Sequence, residues 1–255
     1  MKKSIMLTCS IIVFLVISCG PGREKQGELV IHAEIMDSLA EAGPQIRFYY
    51  YEEKSEYPDA ILEMYSPLDN QKFKPGKVPF EFNIKNYPFD AGLRGFQLKM
   101  ILNGGDPVGY NSPMFQRELK EGTYRAVAYL VDEEGLSLKE FGNYVDRDFM
   151  VGETRAFPYQ AEPYLAVNLP YNGQQLGIGE ELMVDFLVLG GDLKQDKLSV
   201  ILELNEARYE MDKMSPVRIA DLPSGEYSLR LRLVKQDGKE LDGPFSSMKR
   251  TIFIE

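Results

Sequence analysis

Phe80, Phe82 and Ile84 alternate with polar residues, as do Leu98, Met100 and Leu102, and then Tyr124, Ala126, Ala128 and Leu130. Farther along, Val200, Leu202 and Leu204, then Tyr227, Leu229, Leu231 and Leu233, repeat the pattern. A period of two places successive side chains on opposite faces of an extended chain, so these runs predict half-buried antiparallel strands, one face in a core and the other in water. Turn chemistry separates them. Asp132-Glu133-Glu134-Gly135, Lys235-Gln236-Asp237-Gly238 and Asn103-Gly104-Gly105 each place Gly where a hairpin needs positive φ.

The pattern occurs twice. Leu119, Gly122, Tyr124, Leu130, Val131 and Gly135 recur 103 positions later as Leu222, Gly225, Tyr227, Leu233, Val234 and Gly238. The same offset carries Pro67 onto Pro170, Leu138 onto Leu241 and Phe149-Met150-Val151 onto Ile252-Phe253-Ile254. With slips of one residue, Glu81-Phe82 matches Asp185-Phe186 and Leu102-Asn103 matches Leu204-Asn205. A tandem duplication of this period, rich in short strands with frequent turns, predicts an all-β chain of two β-sandwich domains, at residues 60–152 and 160–255. Residues 153–163 contain Pro158 and Pro163 and predict a short, stiff linker.

Leu119-Lys120-Glu121-Gly122-Thr123-Tyr124 and Leu222-Pro223-Ser224-Gly225-Glu226-Tyr227 resemble the turn into strand F of immunoglobulin-like and fibronectin type III-like domains. The resemblance implies two tandem Ig-like antiparallel sandwiches, with Tyr124 and Tyr227 as structural corner tyrosines whose hydroxyls bond back to the main chain. Ser66-Pro67-x-x-Asn70, Val78-x-Phe80-x-Phe82 and Leu98-x-Met100-x-Leu102-Asn103-Gly104 extend the likeness to Ig-like modules of bacterial secreted proteins and lipoproteins. The core Trp and inter-sheet Cys pair of antibody domains are missing from the sequence. These motifs carry a fold and no activity.

The first residues carry an address. Lys2 and Lys3 precede an apolar run from Ile5 to Ile17, broken by Thr8, Cys9 and Ser10, and the run ends at Ser18-Cys19. That order is a secretory signal, and the run is shorter than the ~20 apolar residues of a membrane span. Val16-Ile17-Ser18-Cys19 resembles the lipobox of bacterial lipoproteins. The resemblance implies removal of residues 1–18, acylation of Cys19, and attachment to the cell envelope through the lipid. Gly20 after the Cys resembles the sorting pattern for the outer membrane.

Residues 19–59 read as a spacer and N-terminal segment outside the repeat. Residues 20–28 are polar, and residues 29–42 fit either a short amphipathic helix or a strand paired with residues 45–51.

Composition narrows the chemistry. Cys9 leaves with the signal and Cys19 is lipidated, so no disulfide, Cys nucleophile or thiolate metal site is expected in the mature chain. Net charge moves from −10 to −12 when Lys2 and Lys3 leave, with no basic cluster, which disfavours nucleic acid and anionic lipid surfaces as partners. His32 is the single histidine, without a triad or zinc pattern around it. Acidic residues gather at Asp132-Glu133-Glu134, at Asp146 and Asp148, and at Glu180-Glu181. Calcium binding is one reading of them, but solvated turn residues are the plainer one, and none fits an EF-hand loop.

No catalytic residue, metal site or cofactor is assigned. Phe48-Tyr49-Tyr50-Tyr51, with Tyr57 nearby, is the densest aromatic stretch. As a strand it would turn Tyr49 and Tyr51 to one face, available to an envelope protein or, alternatively, to sugar rings. The resulting expectation is a non-enzymatic envelope lipoprotein that binds or supports another envelope protein, with a carbohydrate-binding accessory as the alternative.

Overall fold

Seventeen strands and no helix occur among the described residues of the computed structural model, which are 45–51, 57–89, 98–158 and 162–255. Cys19, His32, residues 1–18 and residues 29–42 lie outside them. No helix among the described residues is long and apolar enough to cross a membrane.

The first sandwich pairs β2 (Ile61–Ser66), β4 (Gly76–Lys85) and β7 (Met114–Leu119) in one sheet. Its second sheet runs β3 (Gln71–Phe73), β9 (Tyr144–Val151), β8 (Gly122–Leu130), β5 (Leu98–Leu102) and β6 (Val108–Tyr110). The second sandwich repeats the plan. One sheet contains β15 (Val217–Ala220), β12 (Leu182–Leu189) and β10 (Tyr164–Leu169). The other runs β11 (Gln174–Leu176), β17 (Ser247–Ile254), β16 (Gly225–Lys235), β13 (Leu198–Leu204) and β14 (Ala207–Met211). In both copies the first strand switches sheets at a bulge and a cis X-Pro bond, at Ser66-Pro67 and Leu169-Pro170. The strand after each switch then runs parallel to the last one. This is the immunoglobulin-like arrangement, twice.

The inward positions of the alternating runs fill the two cores. Val78, Phe80, Phe82, Leu98, Met100, Ala126, Ala128 and Phe149 pack in the first, and their counterparts Leu182, Val184, Phe186, Val200, Leu202, Leu229, Leu231 and Ile252 in the second. Tyr124 donates to Lys120 O at 2.9 Å and Tyr227 to Pro223 O at 2.8 Å, closing the same corner in each copy. Gly135 and Gly238 take φ of 82° and 79° in the matching hairpins, where a Cβ would be strained.

Two expectations change. Residues 45–51 do not belong to a separate segment: β1 (Arg47–Tyr50) adds to the second sandwich, pairing antiparallel with β15 from Arg47↔Ala220 to Tyr50↔Val217. Phe48 and Tyr50 face inward onto Tyr209, with Phe48 stacked at 5.3 Å, which gives this edge of the sheet an apolar cover.

The outward faces of β5, β8, β10 and β12 are also not in water. Ile101, Val127, Tyr129 and Val131 of the first sandwich meet Tyr164, Ala166, Leu187 and Leu189 of the second in a third buried cluster. The sandwiches therefore pack sheet against sheet, and these strands carry apolar side chains on both faces for that reason.

Candidate functional site at the junction of the sandwiches

Seven large or medium apolar side chains and Ala166 close the junction. At ~1.5–3 kcal/mol for a fully buried side chain, the apolar contribution to docking is on the order of 10 kcal/mol, an upper bound because the separated faces would partly collapse.

Inside this apolar surface sits a charged cluster. Asp185, on the outward face of β12, is fully buried. Its Oδ2 accepts from Ser137 N (2.8 Å), Ser137 Oγ (2.8 Å) and Asn168 Nδ2 (2.6 Å), and its Oδ1 accepts from Lys139 Nζ. Lys139 also reaches Ser137 Oγ (2.6 Å) and Phe186 O (3.0 Å). Asn168 Oδ1 in turn accepts from Lys99 Nζ and from the Tyr129 hydroxyl, both at 2.9 Å, while its Nδ2 donates to Gly135 O (2.8 Å). Burial pushes the Lys99 ammonium below the usual lysine value and the Tyr129 phenol well above the usual tyrosine value.

A second lock lies beside it. Arg125, outward on β8, forms a fork with Asp148 at 2.7 Å for both bonds. Its guanidinium lies over Tyr164 (4.6 Å), Phe245 (5.5 Å) and Phe157 (5.6 Å). Phe157 comes from the linker, so the linker packs into the junction. The Tyr164 hydroxyl donates to Asp146 at 2.8 Å. An open cleft of about 500 Å³ lies here, lined by Arg125, Asp146, Asp148, Phe157, Glu162 and Tyr164 among others. At the far edge, Arg250 bonds Gly105 O at 3.2 Å and lies 3.1 Å from Asp106 as an ion pair without hydrogen-bond geometry.

Tyr49 and Tyr51 share one face, as a strand requires, and flank Arg218, whose guanidinium lies 4.6 Å and 5.5 Å from the two rings. Both hydroxyls are engaged, Tyr49 by Glu181 and Tyr51 by Glu134 of the first sandwich. Tyr57 is not with them. It packs on Tyr87 at 5.0 Å, at the margin of the first core.

The acidic clusters are likewise occupied by protein donors. Asp132 caps its own turn through Glu134 N (2.9 Å) and Leu136 N (2.8 Å), and Glu180 accepts from Gly177 N at 2.8 Å. Among the described residues, no three His, Cys, Asp or Glu side chains converge as a metal site would need.

Sequence reasoning missed the Asp185 cluster and the Arg125 lock. A signal was present. At outward positions the two copies differ where the inward ones agree: Val127 and Tyr129 stand opposite Arg230 and Arg232, and Ala166 and Leu187 opposite Glu63 and Asn83.

No family model and no curated protein sequence matches the chain. Among solved structures, the fibronectin(III)-like modules of Clostridium thermocellum CbhA align over 76% of this chain and 94% of theirs, with 11% identity and a TM-score of 0.29. A Corynebacterium diphtheriae protein described as membrane anchored aligns over 75% of this chain and 58% of its own length, with 9% identity and a TM-score of 0.26. The sandwich architecture rests on the strand pairing above and not on these distant likenesses.

Proposed function

We propose that the chain is an envelope lipoprotein, anchored through Cys19, whose docked sandwiches serve as a non-enzymatic structural or binding module for another envelope protein. The observation that supports this reading most is the junction. Its charged side chains are engaged in holding one sandwich against the other, as in a rigid support, and not in an open constellation of nucleophile, base and substrate cleft. The lipobox supplies the anchor and the Gly20 pattern favours the outer membrane.

On the partner side, the Tyr49–Arg218–Tyr51 ladder is the best contact face, because Tyr and Arg held in fixed rotamers dominate protein interfaces. The sugar alternative would use open tyrosine rings, whereas these two bracket an arginine. No observation favours it.

Two measurements test the reading. Radiolabelled palmitate should enter the full chain and be lost in Cys19→Ser, which should move to the soluble fraction; labelling that survives the substitution rejects the anchor. Cross-linking in intact cells should recover one defined envelope protein, in an amount reduced at least about tenfold by Tyr49→Ala with Tyr51→Ala. Failure to recover any partner under several cross-linkers rejects the binding role.

A further inference from the structure

We propose that the polar cluster centred on Asp185 is the register key of the junction: apolar contacts hold the sandwiches together, and the cluster selects the single angle and offset at which they dock. The apolar surfaces alone cannot do this. Two sheet faces bearing Val, Leu, Ile and Tyr attract without direction, and neighbouring offsets bury similar areas. Hydrogen bonds to a buried carboxylate are directional and short in range.

Asp185 is satisfied only where Ser137, Lys139 and Asn168 converge on it. The first two come from the first sandwich, and Asn168 lies beside Asp185 on β10. Lys99 crosses from β5 to the same Asn168 and holds Gly135 O at 3.2 Å. A slip of one strand position would leave the buried carboxylate with Asn168 as its one donor and the two ammonium groups with only Gly135 O and Ser137 Oγ of their own sandwich.

The internal repeat identifies this set as belonging to the junction and not to the sandwich fold. Strand pairing places Lys99 opposite Ile201, Asn168 opposite Tyr65, and Asp185 opposite Glu81 in the other copy. The constant offset places Ser137 and Lys139 opposite Glu240 and Asp242. Four of the five are replaced by unlike residues, and the fifth keeps its charge without its surroundings, since Glu81 is exposed where Asp185 is buried. Buried ions add little net stability compared with apolar side chains of the same size, so specificity is the property they can supply. The cluster carries two ammonium groups against one buried carboxylate, which a residue set serving stability would avoid.

The test uses the mature chain with Cys19→Ser, which leaves no other thiol, and spin labels at the exposed positions Gln116→Cys and Glu210→Cys, one in each sandwich. The parent should give one narrow inter-label distance. Replacing the cluster by Lys99→Met, Lys139→Met, Asn168→Leu and Asp185→Leu should keep the protein folded and the sandwiches in contact. The distance distribution should broaden by about twofold or split into two populations. A milder pair, Asp185→Asn with Lys139→Met, removes the charges at nearly constant shape and should broaden it less. A folded fourfold variant with the parent's narrow distance overturns the proposal. Should the fourfold variant not fold, an unchanged distribution in the milder pair overturns it equally.

Discussion

Asp185 is the one fully buried carboxylate among the described residues. Four donors meet its carboxylate, so truncation leaves the half-buried Lys139 and the buried Ser137 and Asn168 donors without their acceptor. Asp185→Ala should cost about 3–5 kcal/mol in urea unfolding, while substitution of a surface pair such as Lys72–Glu153 should cost less than about 1. Lys99 sets a pH dependence of definite sign. Its folded value lies below the ordinary 10.5, so the unfolded chain binds the proton more tightly. The cost of the buried charge is complete below the folded value and fades as pH rises toward 10.5; stability from this group therefore increases with pH in that window. Lys99→Met should abolish the increase, read as a flattened stability curve on the alkaline side.

At the scale of elements, the two equivalent sheet edges are managed differently. In the second sandwich β15 is covered by β1. In the first, β7 has no described strand beyond it, and its inward position holds Arg117, bonded to the Tyr110 hydroxyl at 2.6 Å where the second copy has Ile219. An inward charge at an edge discourages pairing with another chain, which suits β7 as the outermost described strand of its sheet. The β15 edge carries Val217 and Ile219 inward and depends on its cover. Phe48→Ala removes the ring stacked on Tyr209 and should cost about 3 kcal/mol, within the range for truncating a packed aromatic. It should also raise concentration-dependent association, seen by light scattering, which Arg117→Ala should raise through the other edge.

At the scale of the molecule, the junction makes two repeats into one unit. The outer faces that correspond to the docked ones are polar. Arg232 pairs with Glu203 at 2.5 Å, Arg230 with Glu240 at 3.0 Å, and Lys85 with Glu63 at 2.9 Å. Such faces suit the ends of a stack, as those of capping repeats do in solenoids. Calorimetry should show one cooperative transition for the parent chain. Giving the first copy the second copy's residues, Val127→Arg with Tyr129→Arg, buries two unpaired cations and should cost at least about 3 kcal/mol. Undocking should then appear as two resolved transitions. A single unchanged transition in that variant would argue that the junction is not what couples the sandwiches.

Much of this was legible in the chain alone. Period-two alternation, the 103-residue repeat, the Gly135 and Gly238 turns and the Leu-x-x-Gly-x-Tyr corners are local, and local chemistry suffices to make strands, hairpins and two cores. The partner of a strand's outward face is not local. Val127 and Tyr129 read as the exposed side of β8 until a second sheet lies on them, and Asp185 reads as a polar outward residue until Ser137, Lys139 and Asn168 surround it. Arg47–Tyr50 shows the same limit, because an aromatic strand does not encode which of two similar edges it completes. The sequence by itself determined the strands, their inward faces and the duplication. Only the tertiary structure decided how the copies dock and where β1 pairs, because those choices depend on side chains brought together from separate strands.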